Sequence, residues 1–145
     1  MYGEETMAAQ PTLENYIGIA PTSGVELVKI VENGLPTQSL TMLMARGLTS
    51  IELGTVVISQ RTLKGRVARG ESLTPLESDR TVRVASILAL ADQIFVEPGK
   101  ALRWLRKSHD MLRNRAPLSM LRTEPGGCLI ESMLWGIEEA SSATS

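Results

Sequence analysis

The chain has one cysteine and one histidine among its 145 residues. A lone Cys128 excludes an intramolecular disulfide and a cysteine-rich zinc site. A lone His109 removes most metal and triad constellations, and no glycine-rich phosphate loop is present, so little is left from which to build an active site. The expectation is a protein that is not an enzyme and carries no cofactor or metal. Aromatic residues make up only 3%. Leu, Ile, Val, Met and Ala must therefore fill the core, which favours helices packed on helices. No run approaches the ~20 apolar residues of a membrane span. The acidic start Met1-Tyr2-Gly3-Glu4-Glu5 lacks the basic region and apolar stretch of a secretory signal, so the expected location is cytoplasmic.

What is present is a hydrophobic content of 43%, enough for one domain or two small ones. Seven methionines suit a soft core or an adaptable interface. Cys128, on an apolar helical stretch, is expected to be a small core residue. The net charge of −1 conceals a segregation. Residues 1–59 carry two basic and six acidic side chains, residues 60–122 thirteen and six, and residues 123–145 none and four. A basic middle between acidic ends fits an anionic partner or the solvated faces of helices.

Punctuation divides the chain into helices. Residues 1–22, with Gly3, Pro11, Gly18 and Pro21, are expected to be a flexible arm with a short extended piece at Tyr16-Ile17-Gly18-Ile19. Ser23-Gly24-Val25-Glu26 is a capping box whose helix stops at Asn33-Gly34. Pro36-Thr37 opens a helix with Leu40, Leu43 and Met44 on one face, ended by Gly47. Thr49-Ser50-Ile51-Glu52 is a second capping box. Ser59 caps a helix from Gln60 to Ala68 or Arg69, stopped by Gly70. Thr74-Pro75-Leu76-Glu77 starts a helix to about Phe95, with Val82, Ala85, Leu88 and Ala89 inward and Arg80 and Arg83 outside. Glu97-Pro98-Gly99 breaks the chain. Helices follow at about 100–107, 117–121 and 126–140, with a polar tail at 141–145. No strand pattern, repeat or heptad is evident.

Thr49 to Arg66 has the layout of a helix-turn-helix. The turn is Val57-Ile58-Ser59, and the second helix presents Gln60, Arg61, Thr62, Lys64 and Arg66. Gln pairs bidentately with adenine and Arg with guanine, while Thr and Lys hold phosphates. Leu63 and Val67 would anchor the helix inward. An ordinary bundle helix with a basic outer face is the alternative.

The last third carries a more specific pattern. Trp104-Leu105, Leu112, Pro117-Leu118, Leu121, Thr123 and Gly126 match in order and spacing the toxin-binding domain of Xre/MbcA/ParS-type antitoxins. Upstream, Ile58-Ser59-Gln60-Arg61-Thr62-Leu63, Leu73-Thr74, Arg80, Arg83, Ala91 and Phe95 resemble the Xre-like helix-turn-helix half of the same family. The resemblance covers about residues 35–140. It implies an all-α fold in which a flexible arm at 1–22 precedes an Xre-like helix-turn-helix DNA-binding and dimerisation domain at 23–97. A small helical toxin-binding domain with a C-terminal tail follows at 98–145. In this family the antitoxin is usually encoded beside a toxin with a RES domain, which degrades NAD. It obstructs the toxin's active site and represses its own operon as a homodimer.

On that basis the DNA-binding set is Ser59, Gln60, Arg61, Thr62, Lys64 and Arg66. The toxin-binding set is Gly127, Glu131, Trp135, Glu138, Glu139 and Ser145, with no membrane involved. Ile130, Met133, Leu134 and Ile137 form the inward stripe of the last helix. Trp135, opposite, is either an interface anchor or a packing residue against a dimer mate or the other domain. Thr123 is expected to cap this helix, and Gly126-Gly127 to allow a close approach or an unusual turn. Asn114 stands where the family usually has Gly, as the next best residue for a left-handed turn. His109 is a turn, surface or interface residue. Two other readings use the same residues: a stand-alone helix-turn-helix repressor, and a partition-type DNA binder.

Overall fold

The computed structural model describes residues 13–144. They form eight α-helices: α1 (Glu14–Ile17), α2 (Gly24–Asn33), α3 (Gln38–Ala45), α4 (Ser50–Val56), α5 (Gln60–Arg69), α6 (Pro75–Ile94), α7 (Lys100–Arg106) and α8 (Glu124–Thr144). Two 3₁₀ segments, Asp110–Leu112 and Pro117–Arg122, lie between α7 and α8. Among the described residues the β pairing is a single isolated bridge, His109 to Arg115. No helix of this part is long and apolar enough to cross a membrane.

The helix starts are where side chains supply the acceptors that a first turn lacks. Ser23, Thr49, Ser59 and Thr74 each accept a hydrogen bond from the backbone N–H three residues on. Glu52 and Glu77 return the bond to Thr49 and Thr74, completing two capping boxes.

Helix α6 is the axis of the fold. It is buried on most of its circumference, through Ser78, Thr81, Val84, Ala85, Ile87, Leu88, Ala89 and Ala91. A helix buried through this much of its surface belongs at the centre, with the others laid against it. α1, α2, α3, α7, α8 and the Pro117–Arg122 segment all touch it. The two buried polar residues of α6 have internal partners. Ser78 Oγ accepts from Leu35 N at 2.8 Å, and Thr81 Oγ1 donates to Glu77 O at 2.8 Å. Val82, expected inward, is only half-buried. One hydrophobic core runs from Tyr16 to Leu134 and crosses the chain break at Glu97-Pro98-Gly99.

The extended piece expected at Tyr16–Ile19 is instead the short helix α1, with Tyr16 and Ile17 buried and Gly18 as a left-handed cap at φ 78°. Leu13, Tyr16 and Ile17 have helical spacing, and tertiary contacts hold the segment down. Tyr16 Oη donates to Asp92 Oδ2 at 2.7 Å, and the Arg46 guanidinium sits 4.0 Å over the ring. Ser39 Oγ donates to Ile17 O at 3.0 Å. Burial first, and then the Asp92 carboxylate, push the Tyr16 phenol up to about 12, so it remains a donor well into the alkaline range. Residues 1–12 of the expected arm lie outside the described residues.

Three further expectations are corrected. The polar tail from Ser141 is helical to Thr144, since no Gly or Pro follows Gly136 to stop α8. Cys128 is exposed, because it stands about 200° round the helix from the buried Ile130. Val67 is 59% exposed and anchors nothing, which leaves Leu63 alone to pack α5 on the core.

Candidate functional site

The first candidate face is α4, its turn and α5. Val57 and Ile58 are both buried, and Val57 has φ −115°, so the turn needs no glycine. Gln60 Nε2 donates to Ser50 Oγ at 3.2 Å and fixes the start of α5 against the start of α4. At 100° per residue, Gln60, Arg61 and Lys64 fall within one arc of about 100°. All three are exposed. Among the described residues neither Arg61 nor Lys64 has an acidic partner within ion-pair distance. These three have the exposure and chemistry for base edges and phosphates.

The other three residues expected on this face have different work. Ser59 Oγ accepts from Thr62 N at 3.2 Å and donates to Thr62 Oγ1 at 2.8 Å, so both form the helix cap. Arg66 turns away from the face. Its Nη2 donates to Glu77 Oε2 at 3.0 Å and its Nη1 to Ser72 O at 3.2 Å. The Arg66 and Glu77 side chains are 16% and 12% exposed, which makes this a structural ion pair tying α5 to α6. Sequence spacing placed Arg66 one turn beyond Thr62 but said nothing of Glu77.

The second candidate face is α8. Thr123 Oγ1 accepts from Gly126 N at 3.2 Å, as expected of its cap. The two glycines that follow allow a close approach. A Cβ at Gly126 would lie 1.8 Å from Met120 O, and one at Gly127 would lie 2.7 Å from Arg83 Cδ. Gly127 is buried by this packing, so the structure gives it no surface to offer a partner. Arg80 and Arg83, expected to stay outside, bind the end of the Pro117–Arg122 segment. Arg80 Nε donates to Arg122 O at 3.2 Å and Arg83 Nη1 to Leu121 O at 3.2 Å. They satisfy carbonyls that a helix end leaves without partners.

Ile130 and Leu134 are fully buried and hold α8 in register. Glu131 and Glu139 are exposed, Glu138 is half-buried and Trp135 is 40% exposed. The indole of Trp135 edges an open cleft of about 280 Å³ whose other walls include Leu13, Leu90, Gln93 and Glu131. Ser145 lies outside the described residues.

On the other flank of α8 is a wider, apolar groove of about 580 Å³, walled by Trp104, Met111, Leu129, Met133, Gly136 and Ile137 among others. Met111 is 79% exposed and Leu129 43%. This groove was not foreseen. Its signal was the second apolar stripe Leu129, Met133, Gly136, Ala140, spaced by four, three and four, beside the Ile130–Leu134 stripe. His109 belongs to the turn beneath it: Asn114 N donates to His109 O at 2.9 Å, and the imidazole lies 5.2 Å from the Trp104 ring. Asn114 is left-handed at φ 66°, as its position required, and Arg113 beside it has φ 54°.

α4 is clamped to α7 and to the Pro117–Arg122 segment. Arg106 Nε and Nη2 donate to Glu52 Oε2 and Oε1 at 2.7 and 2.9 Å, and Nη2 also reaches Gly47 O at 2.7 Å. The Arg106 guanidinium holds the Glu52 carboxyl below the usual carboxylate range, against the opposing effect of burial. Arg122 Nη1 donates to Thr55 O at 3.1 Å.

Each face falls in a segment that matches a known domain. Residues 26–86 match the antitoxin Xre-like helix-turn-helix domain, and residues 90–139 match the antitoxin Xre/MbcA/ParS C-terminal toxin-binding domain. An antitoxin Xre of Pseudomonas putida is 40% identical over 118 residues, which span 81% of this chain and 74% of that relative. The chain belongs to the Xre family of antitoxins. It is a non-enzymatic, type II antitoxin, and its two matched segments imply two partners, DNA and a toxin. The α4–α5 face lies in the first segment. Both flanks of α8 include residues of the second, and the clamps at Arg106 and Arg122 join the two.

Proposed function

We propose that this antitoxin neutralises a RES-domain, NAD-degrading toxin by laying the outward face of α8 over its active site, and that it represses its own operon as a homodimer in the cytoplasm. The observation that carries the toxin half is the composition of that face. Trp135 is an aromatic anchor with part of its surface free, Glu131 and Glu139 stand exposed beside it, and no basic residue follows Arg122. A pocket that handles NAD must hold phosphates, so it presents basic groups that an acidic helix attracts. Glu131, Trp135, Glu138 and Glu139 are the contacts of this reading, with Ser145 at the far end. Leu129 and Met111, on the rim of the apolar groove, extend the buried area.

The test is a truncation. Removing residues 136–145 leaves the Thr123 cap, Ile130 and Leu134 in place. Coexpressed with the toxin gene next to its own, the shortened chain should fold but lose growth rescue. Rescue equal to that of the full chain would exclude the end of α8 as the obstructing element.

The DNA half rests on the exposed arc of Gln60, Arg61 and Lys64, with Ser59 and Thr62 setting its start. Two such helices in a dimer would enter major grooves about one helical turn apart. Arg61→Ala should weaken operator binding by about 1–3 kcal/mol and relax sequence preference. Lys64→Ala should lower the salt slope by about one. Titration of each variant against operator and shuffled duplexes reads both effects. Unchanged curves would return α5 to the role of a bundle helix.

A further inference from the structure

The toxin-binding segment carries a basic surface that the toxin reading does not use. Lys100, Arg103 and Arg106 fall within one arc of about 120° around α7, opposite the buried Ala101 and Leu105, and the exposed Lys107 follows directly at the end of the helix. No acidic residue interrupts α7. Arg106 fixes where this arc lies. It grips Glu52 and Gly47 O, and the Leu102 side chain lies so close over Gly47 that a Cβ there would be 2.6 Å from it. α7 is therefore held along the segment that leads into α4. Glu52 and Ser50 share the first turn of α4, and Ser50 accepts the bond from Gln60 of α5. The basic arc and the Gln60–Lys64 face thus flank the same turn.

Charge sorts the two sides of the molecule. Arg106 neutralises Glu52, the acid nearest the arc. Arg103 and Lys107 are exposed and have no ion-pair partner among the described residues. A toxin that accepts the acidic face of α8 would be a poor match for this arc.

We propose that Arg103 and Lys107 extend the DNA-contacting surface onto the toxin-binding segment, holding backbone phosphates of the duplex beside the stretch read by α5. Arg106 is their positioning residue. This inference rests on the reading that α5 meets DNA. The contacts carry no sequence information, but they add affinity, fix the register of the reading helix and steepen the salt dependence.

The experiment compares the full-length chain with R103Q/K107Q and with R61A. Binding is followed by fluorescence anisotropy on two short duplexes, one from the chain's own upstream region and one shuffled, over a range of NaCl concentrations. R103Q/K107Q should lower the slope of log K against log salt by about two, roughly 0.9 per phosphate contact. It should weaken both duplexes by the same factor and leave toxin neutralisation intact. An unchanged slope in R103Q/K107Q, with weaker operator binding in R61A, overturns the extension and leaves the α5 reading standing. No DNA binding by the unaltered chain, or none of it sensitive to R61A, overturns the α5 reading and the extension with it. Loss of neutralisation with the DNA slope unmoved would assign the arc to the toxin and overturn the proposal.

Discussion

Gly126→Ala should destabilise the chain by about 3 kcal/mol or more, the largest effect expected of any single methyl group added to it. The added carbon would sit 1.8 Å from the Met120 carbonyl oxygen and 2.8 Å from the carbonyl carbon. Both belong to the backbone, so no rotamer change relieves the clash. The first turn of α8 must lift away from the Pro117–Arg122 segment. That movement takes the Thr123 cap with it and draws Ile130 and Leu134 out of the core. Urea denaturation should show a lower midpoint at an unchanged slope, and growth rescue should fall because the toxin-facing side of α8 is displaced. Gly136→Ala is the control. Nothing lies within 4 Å of a Cβ there, and Gly136 is exposed in mid-helix, so alanine should stabilise by about 0.5–1 kcal/mol. If G126A proved as benign as G136A, the close approach of α8 to Met120 would be wrong.

Glu77→Ala should cost about 3 kcal/mol. One carboxylate does two jobs. Oε2 accepts from Arg66 at 3.0 Å, and Oε1 accepts from Thr74 N at 2.8 Å to close the capping box of α6. With alanine there, the Arg66 guanidinium keeps Ser72 O but loses its counter-charge in a largely buried place, where its Nε already has no acceptor. Leaving a buried charge without its partner is worse than having no pair. Glu77→Gln can still accept from Thr74, so its loss should fall between wild type and alanine. DNA affinity should drop in parallel, since the same pair holds α5 against α6. A double-mutant cycle of Arg66→Ala with Glu77→Ala measures the coupling, and a coupling near zero would show that the pair does not hold the two helices together.

Much of the fold was legible because its signals are local. A Ser or Thr followed three residues later by Glu marks a helix start wherever the chain folds, and Ser23, Thr49 and Thr74 behaved accordingly. The left-handed turn at Asn114 was legible for the same reason. The candidate sites were only partly so. Gln60, Arg61 and Lys64 could be placed on one face by helical geometry, and Glu131 and Trp135 on another. Arg66 and Gly127 could not be placed correctly. Arg66 is taken by Glu77, eleven residues on, and Gly127 by Arg83 from a different helix. α1 was missed because four residues have too little helix propensity to declare themselves, and Asp92, Arg46 and Ser39 hold them from three distant places.

The chain order alone determined that this protein is built of helices, where most of them begin, and which family it resembles. Those properties depend on residue types and spacings within a few turns. Only the tertiary structure decided which charges are free to meet a partner. Arg66, Arg80, Arg83 and Arg106 are all consumed internally, while Arg61, Lys64, Arg103 and Lys107 are left exposed without an acidic partner among the described residues. The reason is physical: a cation's availability depends on the carboxylates and carbonyls that folding brings within about 3 Å of it, and those groups come from parts of the chain that local pattern cannot bring together.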